Sequence, residues 1–135
     1  MIEHVRLSQR AKDQLAVVKR HTGITNWNVL CRWAFCLSLA EPTKPRDEDI
    51  PSDSSVEMTW KTFGGEHHEV YMALLKQRCV VDGIPVVQGW LQKTLKQHIQ
   101  RGVGYLYKTA KKGAGICVFP DITASDEGVE DNSIS

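Results

Sequence analysis

Trp27-Asn28-Val29-Leu30-Cys31-Arg32-Trp33-Ala34-Phe35-Cys36-Leu37-Ser38-Leu39-Ala40 is the stretch that decides the fold. Eleven of the fifteen positions 26–40 are apolar, whereas a surface helix needs only one apolar stripe. A helix opening near Thr25 or Asn26 and ended by Pro42 is therefore expected to be buried on every side. The segment contains Arg32 and is shorter than the roughly 20 residues that cross a bilayer. A small domain has little interior with which to surround such a helix. The surplus apolar surface thus predicts a homomeric interface at Trp27, Trp33, Phe35 and Leu37.

Just upstream, His4-Val5-Arg6-Leu7-Ser8 alternates polar and apolar residues as a half-buried strand does. Ser8 suits a helix N-cap, and Leu7, Ala11, Leu15 and Val18 then recur at helical spacing until Gly23 stops the helix near Thr22. Lys12 and Lys19 share one side of that helix, and Arg20 lies further round towards solvent. Strand, helix, turn and apolar helix form the element order of a ribbon-helix-helix protein. In such a protein His4, Arg6 and Ser8 would face DNA from a strand paired between subunits. The other reading pairs this strand with Val56–Thr62 of the same chain.

Downstream, residues 42–55 carry Pro42, Pro45 and Pro51 and read as a loop. Val56–Thr62 alternates with period two and predicts a strand closed by Gly64-Gly65, a plain turn lacking the spacing of a nucleotide-binding loop. A third helix is expected over about 66–80, with Val70, Ala73, Leu74 and Gln77 on one side, broken by Asp82-Gly83. Pro85 opens a fourth, with Val87, Trp90, Leu91, Thr94, Leu95, His98 and Gly102 on a shared face and its end near Gly102 and Gly104. The expected fold is mainly α with two short β-strands, ribbon-helix-helix-like, with about four helices.

The 135 residues carry 17 Lys+Arg and 16 Asp+Glu. This near-balance hides an asymmetry, because 121–135 holds Asp121, Asp126, Glu127, Glu130 and Asp131 and no cation. Positions 1–120 therefore carry 17 basic against 11 acidic residues, and they read as one domain followed by an acidic, flexible tail at 121–135. Cys31, Cys36, Cys79 and Cys117 show no Cys-x-x-Cys spacing and read as buried free thiols; neither metal nor cofactor is expected. With no signal-peptide layout at the N-terminus, a cytoplasmic protein is expected.

Chemistry-bearing motifs are few. Glu66, His67, His68 and Glu69 could in principle serve acid–base or metal chemistry, but the two carboxylates also suit a helix N-terminus. The basic residues are more informative as a set: Arg10, Lys12, Lys19, Arg20, Lys44, Arg46, Lys108, Lys111 and Lys112. Repeated around an oligomer, they would give sequence-independent, salt-sensitive phosphate contacts. Lys12, Lys19, Arg20, Lys44 and Arg46 are the leading DNA-binding candidates.

One resemblance sharpens this. Arg6-Leu7-Ser8, Lys12-Asp13-Gln14-Leu15, Lys19-Arg20 and the run Thr22–Cys36 resemble the DndE family of DNA sulfur modification proteins. So do Val56–Lys61, Phe63-Gly64-Gly65-Glu66, Leu74–Cys79 and Arg101–Leu106. The resemblance covers about 4–107 and implies a mainly helical, homotetrameric protein of the bacterial machinery that replaces a non-bridging phosphate oxygen of DNA with sulfur. It implies work beside DndC and DndD, and binding of duplex DNA, preferentially nicked, through surface lysines. No catalytic constellation comes with it, so a non-enzymatic DNA-binding subunit is expected. The alternatives are a nicking subunit using Glu66, His67, His68 and Glu69, and an assembly scaffold that touches no DNA.

Overall fold

Ser8 opens helix α1 (Gln9–Thr22) as the sequence predicts: its Oγ accepts a hydrogen bond from the Ala11 amide at 3.0 Å. The helix ends at Gly23, whose φ of 77° is left-handed and costs little without a Cβ. In the computed structural model, which describes residues 2–112, Leu7, Ala11, Leu15 and Val18 all point into the core. Helix α2 (Trp27–Ala40) follows after a four-residue turn.

Helix α2 is enclosed as its composition requires, but by its own chain. Trp27, Trp33 and Phe35 are 2%, 3% and 0% exposed within a single subunit. Leu37 is partly buried against the same core. The premise that one chain could not cover this helix is therefore corrected for Trp27, Trp33 and Phe35, while Leu37 keeps part of its surface open. The cover comes from an element longer than the sequence suggested: the C-terminal helix α5 runs unbroken from Gln88 to Lys111. Gly102 and Gly104 do not end it. Gly102 lies where α5 crosses α2, and a Cβ there would fall on the Ala34 backbone. The glycine thus allows an approach that larger residues forbid, and it lets one helix shield much of α2. Phe35 completes its packing edge-on against Phe63, Tyr71 and His98, with ring centroids 5.8, 6.2 and 6.3 Å away.

Strands β1 (His4–Arg6) and β2 (Glu57–Thr59) pair antiparallel within the chain, with His4 opposite Thr59, Val5 opposite Met58 and Arg6 opposite Glu57. Val5 and Met58 face the core while His4 and Arg6 face solvent. Arg6 is held across the strands by Glu57 at 2.9 Å. The strand expected over 56–62 is cut short because Thr59 caps a helix: its Oγ1 accepts from the Thr62 amide at 3.1 Å and opens α3 (Trp60–Gly64). A 3₁₀ turn (Gly65–His67) leads into α4 (His68–Val81).

Helix α4 buries Met72, Leu75, Arg78 and Cys79. The side carrying Val70, Ala73, Leu74 and Gln77 lies in solvent. Pro85 precedes α5 without belonging to it, and Val87 and Trp90 are exposed rather than part of its buried face. Of the thiols, Cys31 and Cys79 are buried but Cys36 is exposed. Cys117 and the acidic segment 121–135 lie outside the described residues. No helix among the described residues is long and apolar enough to cross a membrane.

Candidate nucleic-acid interface

The loop after α2 is tied down by cations from two helices. Arg78 Nη1 donates to the Leu39 carbonyl at 2.9 Å, and its Nη2 donates to the carbonyls of Glu41 and Thr43 at 2.6 and 2.8 Å. Arg101 donates to the Ser38 hydroxyl and carbonyl at 2.8 and 2.7 Å and to the Thr43 carbonyl at 2.9 Å. Together they satisfy the orphan carbonyls at the C-terminus of α2, where positive charge also complements the helix dipole. His98 completes this cluster, with Nδ1 2.7 Å from Ser38 Oγ. Burial, with the nearby Arg78 and Arg101 charges, lowers its pKa from the ordinary 6.5 to about 3, so it is neutral at pH 7.

Further along, Gln97 donates to the Glu48 carbonyl at 2.8 Å, and Lys93 bridges Asp47 and Asp49 at 3.2 and 3.5 Å. The hydrogen bond to Asp47 favours the charged form of Lys93 and raises its pKa. Arg46 is thereby held between anchored residues. On the other side, the Ser8 hydroxyl that caps α1 also donates to Gln100 at 2.7 Å, fixing α1 against α5.

Between these three elements lies an open groove of about 600 Å³. Helix α1 contributes Arg10 and Gln14, one turn apart. The loop contributes Pro45, Arg46 and Glu48. Helix α5 contributes a continuous face that includes Gln97, Arg101, Tyr105, Lys108 and Lys111, with Tyr107 beside it. Arg10, Arg46, Lys108 and Lys111 are exposed. The lining thus holds five cations and one carboxylate. Lys111 Nζ lies 5.3 Å from the Tyr107 ring centroid. One anchored arginine, Arg101, four exposed cations and the half-buried Tyr105 and Tyr107 suit a polyanion with sugar and base faces.

A family model described as DNA sulphur modification protein DndE matches residues 4–113. The chain belongs to the DndE family. The crystal structure of DndE from Escherichia coli B7A, described as involved in DNA phosphorothioation modification, is similar with a TM-score of 0.68 at 26% identity. That similarity covers 78% of this chain and 98% of that one. A crystal structure of a glycine-to-lysine mutant of DndE involved in DNA phosphorothioation gives 0.64 at 23% identity, over 80% of this chain and 99% of that one, and supports the fold alone. No curated protein matches the chain significantly.

Of the five cations singled out in the sequence of this DndE-family chain, the groove gathers Arg46. Lys12 sits near the sheet, donating to Ser55 Oγ at 2.8 Å. Lys19 Nζ lies 3.9 Å over the Trp27 ring centroid, where the ammonium makes a cation–π contact. Arg20 and Lys44 are exposed and do not line the groove. Arg10, Lys108 and Lys111 belonged to the wider basic set, whereas Arg101 was missed. Its signal was the spacing Gln97, Arg101, Tyr105, Lys108, Lys111 along one helix face. That spacing is invisible once Gly102 and Gly104 are taken as a helix end.

Glu66 and His67 are exposed on the 3₁₀ turn, and His68 and Glu69 begin α4. Among the described residues, no group of three or more His, Cys, Asp or Glu side chains is placed to hold a metal ion.

Proposed function

We propose that this chain is a non-enzymatic, cytoplasmic DNA-binding subunit of the phosphorothioation machinery, binding duplex DNA through the groove of α1, the 41–55 loop and α5. The observation that carries this reading is the groove lining: Arg10, Arg46, Arg101, Lys108 and Lys111 against Glu48 alone. Cations on three separately anchored elements match a phosphate backbone by shape and charge and carry no base code. A nicked duplex bends at lower stacking cost, so a rigid positive groove favours it over intact duplex. Lys12, Lys19, Arg20 and Lys44 are peripheral contacts in this reading.

The reading includes a homotetramer working beside DndC- and DndD-like proteins. Since Trp27, Trp33 and Phe35 are enclosed, self-association falls to a different surface. Val70, Leu74 and Val81 recur along one side of α4 at 55%, 42% and 66% exposure, and Trp90 is 43% exposed at the start of α5. An apolar helix stripe open to water is the ordinary form of a subunit contact.

The test is equilibrium binding to nicked and intact duplexes of one sequence between 50 and 200 mM salt. The reading expects tighter binding to the nicked duplex and a steep loss of affinity with salt. Equal affinity for both duplexes, or a flat salt response, overturns it.

A further inference from the structure

The groove that the proposed function assigns to DNA lies where α5 ends. Lys108 and Lys111 both line it, and α5 finishes at Lys111. The chain therefore leaves the described structure at the groove's basic rim. After eight intervening residues, 113–120, begins a segment with Asp121, Asp126, Glu127, Glu130 and Asp131 and no Lys or Arg. Five negative charges are thus tethered to a groove lined by five positive ones. At about 3.3–3.6 Å per residue, the intervening 113–120 can span up to about 30 Å. That is several times the width of a groove of about 600 Å³, so the tether imposes no geometric obstacle.

We propose that the acidic segment 121–135 docks in this groove and competes with DNA for it, which rests on the groove being the DNA site. Its carboxylates stand in for phosphates: both are oxygen acceptors for guanidinium and ammonium donors. Exposed ion pairs are individually weak. Tethering compensates, because a short linker holds the segment at an effective concentration in the millimolar range. Such a competitor leaves the groove to a polyanion as dense as duplex DNA and denies it to weaker or more diffuse anions. If the segment occupies the groove nine-tenths of the time, the apparent Kd for DNA rises about tenfold.

The experiment uses the full chain and a full-length variant carrying Asp121→Asn, Asp126→Asn, Glu127→Gln, Glu130→Gln and Asp131→Asn. Amide NMR spectra of the two should differ at Arg10, Arg46, Arg101, Tyr105 and Lys108, and little along β1 or the exposed side of α4. Differences that avoid the groove overturn the proposal. For duplex DNA the neutralised variant should bind about tenfold tighter at low salt. The gain should shrink as the screening length contracts. A simple change of net charge would also tighten binding, so the same neutralisation is repeated with Arg46→Gln, Lys108→Gln and Lys111→Gln in place. Docking predicts that the gain then disappears, whereas a persisting gain overturns it. Failure of the DNA-site reading looks different: the triple groove variant would then bind DNA as tightly as the unaltered chain, while the NMR comparison still decides whether the segment docks.

Discussion

Gly102→Ala and Gly104→Ala, two residues apart on α5, should change stability in opposite directions. Alanine is favoured over glycine inside a helix by about 1 kcal/mol. At Gly104 nothing lies within 4 Å of the added Cβ, so a gain of about 0.5–1 kcal/mol is expected. At Gly102 the same carbon would overlap the carbonyl group and Cα of Ala34, all backbone atoms with no rotamer to yield. The helices must separate, loosening contacts around Leu30, Ala34, His98 and Val103, all fully or almost fully buried. Overpacking of this kind costs about 1–3 kcal/mol, and a rigid backbone obstacle belongs at the upper end. Setting the propensity gain against it leaves Gly102→Ala about 1–2 kcal/mol less stable than the parent. Urea unfolding at one fixed protein concentration measures both, since any self-association makes the midpoint concentration-dependent. A Gly102→Ala protein as stable as Gly104→Ala would refute the close crossing of α2 and α5, and with it the account of how one subunit encloses α2.

Other expectations follow from the same geometry. His98 has its pKa depressed to about 3 from 6.5, so its stability contribution is complete above pH 6.5 and is lost as pH falls towards 3. Between pH 7 and pH 5 this amounts to about 2 kcal/mol, and urea unfolding should show that slope in the parent but not in His98→Gln. Arg78→Leu removes the partner of Asp82, whose side chain is only 7% exposed, along with the caps on Leu39, Glu41 and Thr43. A loss of about 3–5 kcal/mol is expected from breaking this buried pair, read as a lowered thermal midpoint. Leu74→Glu, on the exposed side of α4, should give a folded but smaller species by sedimentation. Trp33→Glu should instead abolish the cooperative unfolding transition, because Trp33 is enclosed within the subunit.

Much of the fold was legible because its signals are local. Ser8 before Gln9, Gly23 after Thr22, and the composition of 27–40 each carry one dominant physical meaning, and α1 and α2 follow from them. Thr59 was harder: its capping hydroxyl competes with the strand pattern of Val56–Thr62, and only the Thr62 amide decides the outcome. The face of α4 was misassigned because Val70, Ala73 and Leu74 form as good an apolar stripe as Met72, Leu75 and Cys79. Which stripe is buried depends on the neighbouring elements. Gly102 misled most, since a glycine that permits close helix approach and one that ends a helix look the same in one sequence. That ambiguity hid the C-terminal turns of α5, and with them the face bearing Arg101, Tyr105, Lys108 and Lys111. Arg46 was found in the sequence, but the anchors that position it are contacts 35 or more residues away and leave no local pattern.

The central claim is that this groove neutralises DNA phosphates, and the salt dependence of binding counts them. Each phosphate contact contributes about −0.9 to the slope of log K against log salt on duplex DNA. A variant with Arg10→Gln, Arg46→Gln, Lys108→Gln and Lys111→Gln, all on exposed side chains, should remain folded. Its slope should be about 3–4 units shallower than the parent's on a nicked duplex, with the largest loss of affinity at low salt. A folded variant whose slope and affinity match the parent's would contradict the claim and move DNA binding off this face of the protein.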